Sequence, residues 1–204
     1  MTIKKQQLKS QKTKNEIMQA ASSLFISNGY EETSINEIVE KAGCSVGAFY
    51  GHFKSKQELV TRIWLDETIN TIKLSVEKGS RITDHVIFVD YLIERSNVAA
   101  QNQITNKLYR FCYLTTENSS ELSMYTSRYL SMIRNMLYSY APNASEDTLW
   151  TYASIIHSLL NAHSQKNSNQ MVYFHFSDEI MRHAIIQLME VCRTNYSVKT
   201  DFDS

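Results

Sequence analysis

Residues 33–58, TSINEIVEKAGCSVGAFYGHFKSKQE, decide the fold of this chain. Ser34 and Glu37 have the spacing of a capping box, in which each side chain accepts a hydrogen bond from the other residue's backbone N–H. The apolar residues that follow recur at helical spacing: Ile35, Ile38, Val39 and Ala42. Gly43 comes next, and glycine ends a helix easily because it adopts the left-handed conformation without strain. These residues predict a short helix that begins at Ser34 and stops at Gly43.

A second short helix is predicted immediately afterwards. Ser45 is its N-cap, and its inward-facing residues are Ala48, Phe49 and Phe53. Ser55 and Glu58 form another capping box, which starts a third helix. Two short helices joined by a glycine-containing turn make a helix-turn-helix, whose second helix is shaped to enter the major groove of DNA.

The same stretch resembles the signature of the TetR family of bacterial transcriptional regulators. The matching residues are Ala42, Gly43, Ser45, Gly47, Tyr50, Phe53, Lys54, Lys56 and Leu59. Upstream, the first helix and its end match at Ala20, Ala21, Leu24, Phe25, Gly29 and Tyr30. The resemblance extends over residues 12–62. It implies an all-α protein, in which a long helix joins an N-terminal three-helix DNA-binding domain to a C-terminal helical domain for ligand binding and dimerisation.

Composition and charge also divide the chain. Residues 1–62 contain nine Lys/Arg and six Asp/Glu, while residues 63–204 contain twelve and fifteen, so only the first part is basic. A basic segment indicates an anionic partner, although so small an excess also occurs as ordinary surface variation. The three widely spaced cysteines favour a reducing compartment over a disulfide framework. Without a long apolar run or a secretory signal, we expect a cytoplasmic protein with no membrane partner.

The sequence predicts three segments. Residues 1–12 carry no acid, and we expect a basic flexible arm containing Lys4, Lys5, Lys9 and Lys12. The arm either follows DNA phosphates or simply keeps the chain soluble. Thr13 and Glu16 would cap the first helix of a DNA-binding domain over residues 13–54. Residues 55–204 would form the helical ligand-binding and dimerisation domain.

Helical periodicity continues to the end of the chain. It predicts long helices over residues 55–79, 84–97, 103–115, 121–140, 146–163 and 178–196. With three earlier helices the total is nine, and the predicted fold class is all-α. Residues 171–174 are the one candidate strand, although a loop is the preferred interpretation. The last two helices carry apolar residues on more than one face, and the resemblance implies that they form a homodimer contact.

The resemblance also implies which residues face DNA. Six lie in or next to the second short helix: Ser45, Val46, Gly47, Tyr50, Gly51 and His52. Four more would lie near phosphates: Thr33, Ser34, Lys54 and Lys56. Residues 45–51 lack Arg, Lys, Asn and Gln, the side chains that read bases through paired hydrogen bonds. We therefore expect Val46 to contact thymine methyl groups and His52 to contact bases, with DNA shape supplying further specificity.

Aromatic side chains predict a ligand site in the second domain. Tyrosine hydroxyls among apolar rings need hydrogen-bond partners, and an apolar cavity with a few polar groups is typical of a small-molecule site. The candidates are Tyr91, Tyr109, Tyr113, Tyr125, Tyr129 and His157. The alternative is that each belongs to an ordinary helical core. The aromatic content and zero net charge favour an apolar or aromatic effector.

The sequence contains no catalytic pattern. It has no metal-ligand spacing, no glycine-rich phosphate loop and no Gly-x-Ser-x-Gly elbow, so we expect no catalytic residue, metal or cofactor. The main hypothesis is a dimeric repressor that a small molecule releases from a palindromic DNA operator. Two alternatives stay open: a TetR-like protein controlled by a protein partner, and a helical enzyme with an accessory DNA-binding domain. A hollow second domain favours the first hypothesis, and a filled core favours control by a protein.

Overall fold

A computed structural model of the chain describes residues 2–116, 119–164 and 177–194, which form nine α-helices and no strand. The helices are α1 (Thr2–Ser27), α2 (Ile35–Ala42), α3 (Val46–Tyr50), α4 (Lys56–Gly79), α5 (His85–Gln101), α6 (Gln103–Thr116), α7 (Ser120–Tyr140), α8 (Glu146–Ser164) and α9 (Asp178–Thr194). The all-α prediction is thereby confirmed for these residues. The candidate strand at 171–174 lies outside them.

The first helix begins earlier than the sequence predicted. α1 starts at Thr2, so residues 2–12 are its first turns and not a separate flexible arm. Thr13 and Glu16 lie inside the helix and do not cap it. The physical reason is composition: residues 2–12 contain Lys, Gln and Leu, which favour helix, and they contain neither glycine nor proline.

The chain divides into two compact units, and their boundary differs from the predicted one. The first unit runs to Thr68 and includes Gln103–Ser119, so α6 belongs to it and not to the second domain. α6 packs on α1, and the indole N–H of Trp64 donates to the Thr105 carbonyl at 3.1 Å. The second unit contains Ile69–Asn102 and the residues from Ser120 onward. α4 is continuous and contributes residues to both units.

The first unit is held together by the apolar stripes that the sequence predicted. α1, α2 and α3 pack against one another, and the buried side chains of the unit include some at the start of α4. The largest of these are Ile17, Phe25, Ile38, Phe49, Phe53 and Leu59. Phe49 and Phe53 are 0% and 2% exposed, so the inward side of α3 is fixed to the core.

The second unit has its own core between α5, α7, α8 and α9. The apolar side chains of this core include Phe88, Leu92, Ile133, Leu137, Leu149, Ile156, Ile185 and Met189. The void among them measures about 10 Å³, so this core is filled. None of the helices in the described ranges combines the length and hydropathy that a membrane span requires.

Candidate nucleic-acid interface

The helix-turn-helix is fixed by local hydrogen bonds. The Ser34 hydroxyl oxygen accepts the Glu37 N–H at 3.2 Å, and the Glu37 carboxylate accepts the Ser34 N–H at 2.7 Å. Hydrogen bonds from the Ser34 backbone and then from its side chain lower the pKa of Glu37, which keeps the cap charged. Gly43 ends α2 at φ 64°, the left-handed conformation that the sequence predicted.

α3 presents one face to the core and the other to solvent. The Ser45 hydroxyl oxygen accepts the Ala48 N–H at 3.1 Å, which confirms the predicted N-cap. Phe49 anchors the helix, and its ring meets the ring of Tyr50 edge-on with centroids 5.3 Å apart. Val46 and Tyr50 are 40% and 54% exposed, so the solvent face carries one aliphatic side chain and one phenol.

Two glycines make the exposed face of α3 flat. Gly47 and Gly51 both have ordinary helical φ values, so the backbone does not require glycine at either position. A Cβ on Gly47 would approach only the Ser45 hydroxyl oxygen, at 3.8 Å. A Cβ on Gly51 would contact carbonyls of its own helix at 3.4 and 3.5 Å, which is ordinary van der Waals contact. The fold therefore tolerates a larger residue at each position. A side chain added there would instead project from the exposed face and keep a binding partner further from the backbone.

Two predicted phosphate contacts disagree with the structure. Thr33 is 1% exposed and donates its hydroxyl to the Gly29 carbonyl at 2.7 Å, so its side chain faces inward. The Lys56 ammonium donates to the carbonyls of Tyr30, Thr33 and Glu31 at 2.8, 2.9 and 3.3 Å. These three bonds use all the donors of an ammonium group. Lys56 therefore stabilises the loop between α1 and α2 and has no N–H left for a phosphate.

The remaining predicted residues lie at or near the surface. Lys54 is exposed, and its backbone N–H donates to the Glu58 carboxylate at 2.7 Å while its side chain forms no ion pair with a described residue. His52 is half-buried beside Phe53, with ring centroids 6.5 Å apart. The Ser34 hydroxyl is exposed but also donates to Glu37, so it is occupied by the cap. The structure thus brings together Ser45, Val46, Gly47, Tyr50 and Gly51 as one exposed surface on α3.

A family profile described as "Bacterial regulatory proteins, tetR family" matches residues 17–63, from the middle of α1 into α4. Residues 17–63 belong to the TetR family. A curated relative of this TetR-family segment, the HTH-type transcriptional regulator AcrR of Shigella flexneri, is 36% identical over 74 residues. The match covers 36% of this chain and 34% of that regulator, so the chain spans about a third of the length of this relative.

Solved structures share the fold beyond the TetR-family segment. A TetR-family transcriptional regulator from Streptomyces coelicolor gives a TM-score of 0.61 at 12% identity, covering 92% of this chain and 97% of that one. FadR of Bacillus subtilis, solved in complex with stearoyl-CoA, gives a TM-score of 0.56 at 14% identity, covering 88% and 97%. At these identities the likeness shows a common fold alone.

The second unit contains a small cavity, which gathers only two of the predicted ligand residues. The cavity measures about 110 Å³, below the roughly 300–1,000 Å³ of typical ligand pockets. Tyr129 and His157 line it, with ring centroids 5.6 Å apart at 63°. Burial lowers the pKa of His157 and raises the pKa of Tyr129, so both side chains are neutral near pH 7.

The other four candidates lie elsewhere. The Tyr91 hydroxyl donates to the Ser75 carbonyl at 2.8 Å, and Tyr125 stacks below the Lys73 ammonium, 4.7 Å from its ring centroid. Tyr109 belongs to the first unit, where its ring meets Trp64 at 6.2 Å. The side chain of Tyr113 lies outside the described part of the chain. The predicted cluster of six is therefore not formed as one site.

Sequence reasoning missed the polar side of this cavity. Arg95, Ser75, Ser96 and Asn161 also line it, and the Arg95 Nε–H donates to the Ser75 hydroxyl at 3.2 Å. A signal for Arg95 was present in the sequence, because this arginine interrupts the apolar stripe of α5 three residues after Leu92. Helical periodicity alone does not show that α4 and α5 place Ser75 beside it.

Proposed function

We propose that this chain is a cytoplasmic, dimeric DNA-binding transcriptional repressor that leaves a palindromic operator when a small effector binds its second unit. The observation that carries the proposal is the exposed, flat face of α3, held rigidly by Phe49 on the opposite side. A helix fixed in this way can enter a major groove with its N-terminal residues toward the bases. The similarity of residues 17–63 to TetR-family proteins supports the same assignment.

Some residues on or next to this face would position the protein on the DNA backbone, and others would recognise the base sequence. The Tyr50 hydroxyl, the Ser45 hydroxyl and the Lys54 ammonium suit phosphate oxygens, which fix orientation without reading sequence. Gly47 and Gly51 would let the backbone approach the duplex closely. Val46 is the side chain suited to a thymine methyl group, and its exposed position on α3 supports that role.

Dimerisation is supported by exposed apolar side chains on the last two helices. Trp150 and Ile155 on α8 are each 40% exposed, and Ile180 and Val191 on α9 are 54% and 41% exposed. Trp150, Ile155 and Leu159 line one groove on α8, and a contiguous apolar surface of this kind is typical of a site that binds another protein. A two-fold contact between copies would place two α3 helices about 34–36 Å apart, one turn of duplex, or at a multiple of that distance. The operator would then be a palindrome.

Effector control rests on the cavity and on α4. Thr71, Ile72 and Ser75 of α4 line the cavity, and the same helix contributes residues 56–68 to the first unit. A ligand that favours one orientation of α4 would change DNA affinity, and by linkage DNA would change ligand affinity by the same factor. The sequence predicted an apolar or aromatic effector. The small volume favours a small one, and Arg95, Tyr129 and His157 supply polar groups that would bind a polar group of that ligand. FadR, which shares the fold, binds stearoyl-CoA, so helical units of this fold accommodate ligands.

A second candidate is control by a protein partner. The filled core of the second unit and the small volume of the cavity favour it. In that case the exposed apolar residues of α8 and α9 would contact the controlling protein. An effector-free complex between the chain and another protein that lowers DNA affinity would distinguish this mechanism from small-molecule control.

Selection from a randomised duplex pool tests DNA binding. The purified chain should enrich a two-fold symmetric sequence, and Gly47→Ala should reduce affinity for it by at least about tenfold because the added methyl group lies on the approaching face. The same substitution should leave stability unchanged or raise it by up to about 1 kcal/mol, since alanine favours helix more than glycine. Failure to enrich any sequence, or an unaltered affinity of a correctly folded Gly47→Ala variant, would refute the assignment of α3.

A further inference from the structure

We infer that the cavity of the second unit binds a small carboxylate, with Arg95 as its counter-ion. The inference rests on the proposed function only in treating this ligand as the effector, because binding itself is a property of the second unit alone. It assigns a charge class to the ligand, in contrast to the apolar or aromatic molecule expected from composition.

The first observation is an arginine without a counter-ion. Arg95 is half-buried, its Nε–H donates to the Ser75 hydroxyl, and no carboxylate of a described residue forms an ion pair with it. Other arginines of the second unit do have such partners: Arg134 pairs with Glu146, Arg182 with Asp90 and Arg193 with Glu190. Withdrawing a guanidinium from water is unfavourable unless an anion compensates it. The terminal nitrogens of Arg95 are thus available for the paired hydrogen bonds that a carboxylate accepts.

The second observation is two hydrogen-bond donors on the cavity wall for which no described residue is the acceptor. No described residue shares a hydrogen bond with the Tyr129 hydroxyl or with the His157 ring. Burial favours the neutral form of both groups, so each offers one N–H or O–H to the cavity near pH 7. Ser75 and Ser96 already donate to the carbonyls of Thr71 and Leu160. An ionised carboxylate accepts hydrogen bonds through both of its oxygens, so it can use these two donors together with the guanidinium of Arg95.

Two further cations lie on α4 and α7, within three residues in sequence of side chains that line the cavity. The Lys73 ammonium and the Arg128 guanidinium both contact the ring of Tyr125, at 4.7 and 5.4 Å from its centroid. Neither forms an ion pair with a described carboxylate. Thr71, Ile72, Thr126 and Tyr129, their neighbours in sequence, line the cavity. Positive charge at such positions raises the local concentration of anions and speeds their entry.

The volume limits the size of the ligand. A cavity of about 150 Å³ accommodates benzene. The 110 Å³ measured here therefore fits about four or five non-hydrogen atoms, as in acetate or propionate. Ile72, Ala99 and Leu160 supply apolar surface for a short aliphatic group. A longer acid would have to extend out of the cavity.

The test is a ligand-binding experiment on the full chain without DNA. Propionate, propionamide and propylammonium should be titrated at constant ionic strength by isothermal calorimetry and by saturation-transfer NMR. Propionate should bind, and the amide and the amine should bind at least about tenfold more weakly because they lack the charge that Arg95 pairs with. Arg95→Met should weaken propionate binding by at least about tenfold, whereas Lys78→Met, a charge loss on exposed α4 surface, should not.

Several results would overturn the inference. They are equal affinity for propionate and propionamide, unchanged affinity in Arg95→Met, and no propionate binding by the wild-type chain. If Arg95→Met fails to fold by circular dichroism, Tyr129→Phe replaces it, because this change keeps the ring and removes one donor. Release of DNA is measured separately, by titrating propionate into the complex with the selected duplex. If propionate binds but does not release DNA, the carboxylate site is supported and its role as the effector site is refuted. The outcome of the DNA selection does not depend on either result.

Discussion

Replacing Lys56 by methionine should destabilise the first unit and leave the salt dependence of DNA binding unchanged. Lys54→Met should leave the stability of the first unit nearly unchanged and should reduce the salt dependence of DNA binding. The two lysines lie two residues apart, and the sequence assigned both to phosphates. The structure gives them separate roles, because the Lys56 ammonium bonds to three carbonyls while Lys54 is exposed.

The magnitude follows from the bonds that Lys56 makes. Its bonds to Tyr30 and Thr33 are partly buried, at 2.8 and 2.9 Å, and the bond to Glu31 is exposed and longer, at 3.3 Å. Each partly buried bond contributes about 1 kcal/mol. The ammonium also lies over the Tyr30 ring, 4.4 Å from its centroid, which adds about 0.5 kcal/mol. Methionine keeps most of the aliphatic contact that the lysine stem makes. We expect a loss of about 2–3 kcal/mol for Lys56→Met and under about 0.5 kcal/mol for Lys54→Met.

Urea unfolding followed by tryptophan fluorescence measures this loss. The chain has two tryptophans, so a Trp150→Phe background leaves Trp64, which belongs to the first unit, as the reporter. Binding to the selected duplex is then measured at several salt concentrations. Lys54→Met should lower the slope of log affinity against log salt by about one, and Lys56→Met should leave it unchanged.

The opposite result for the two variants would contradict these assignments. A Lys56→Met protein as stable as its background, with a salt slope reduced by about one, would place that ammonium on DNA and not on the loop carbonyls. A loss of stability in Lys54→Met equal to that in Lys56→Met would mean that the unfolding signal does not separate the two roles.

Three further predictions concern the α3 surface, the cavity and the dimer. Tyr50→Phe should weaken binding to selected and random duplexes alike, by about three- to tenfold, since a phosphate contact carries no sequence information; anisotropy titrations would refute this if only the selected duplex lost affinity. Because burial lowers the pKa of His157 below its ordinary 6.5, the unfolded chain takes up a proton first, and stability should fall as the pH drops below 6.5. His157→Gln should lessen that fall in urea midpoints between pH 7.5 and 5.5, and an identical fall in both proteins would contradict the assignment. Trp150→Glu should convert a dimer into a monomer in sedimentation at micromolar concentration, and a wild-type monomer both free and on DNA would remove the dimer proposal.

The sequence by itself determined the helix-turn-helix. Ser34 with Glu37, Gly43 and Ser45 act over three or four residues, and such bonds are fixed by spacing and by backbone conformation. The long apolar periods likewise fixed the number and class of helices, because a helical stripe can be read without knowing its partner. The first helix was placed too late because no strong local signal marks its start.

Only the tertiary structure decided which residues meet across long separations. Lys56 reaches carbonyls 23 to 26 residues earlier, and Arg95 reaches Ser75 over 20 residues. The same holds for α6, which joins the first unit through contacts with α1 and with Trp64, 41 residues before Thr105. Long polar side chains have no positional preference that spacing can reveal, and their partners depend on how helices pack. The roles of Lys56 and Arg95 therefore depend on how the helices pack, whereas the conformation of the helix-turn-helix is determined by local sequence.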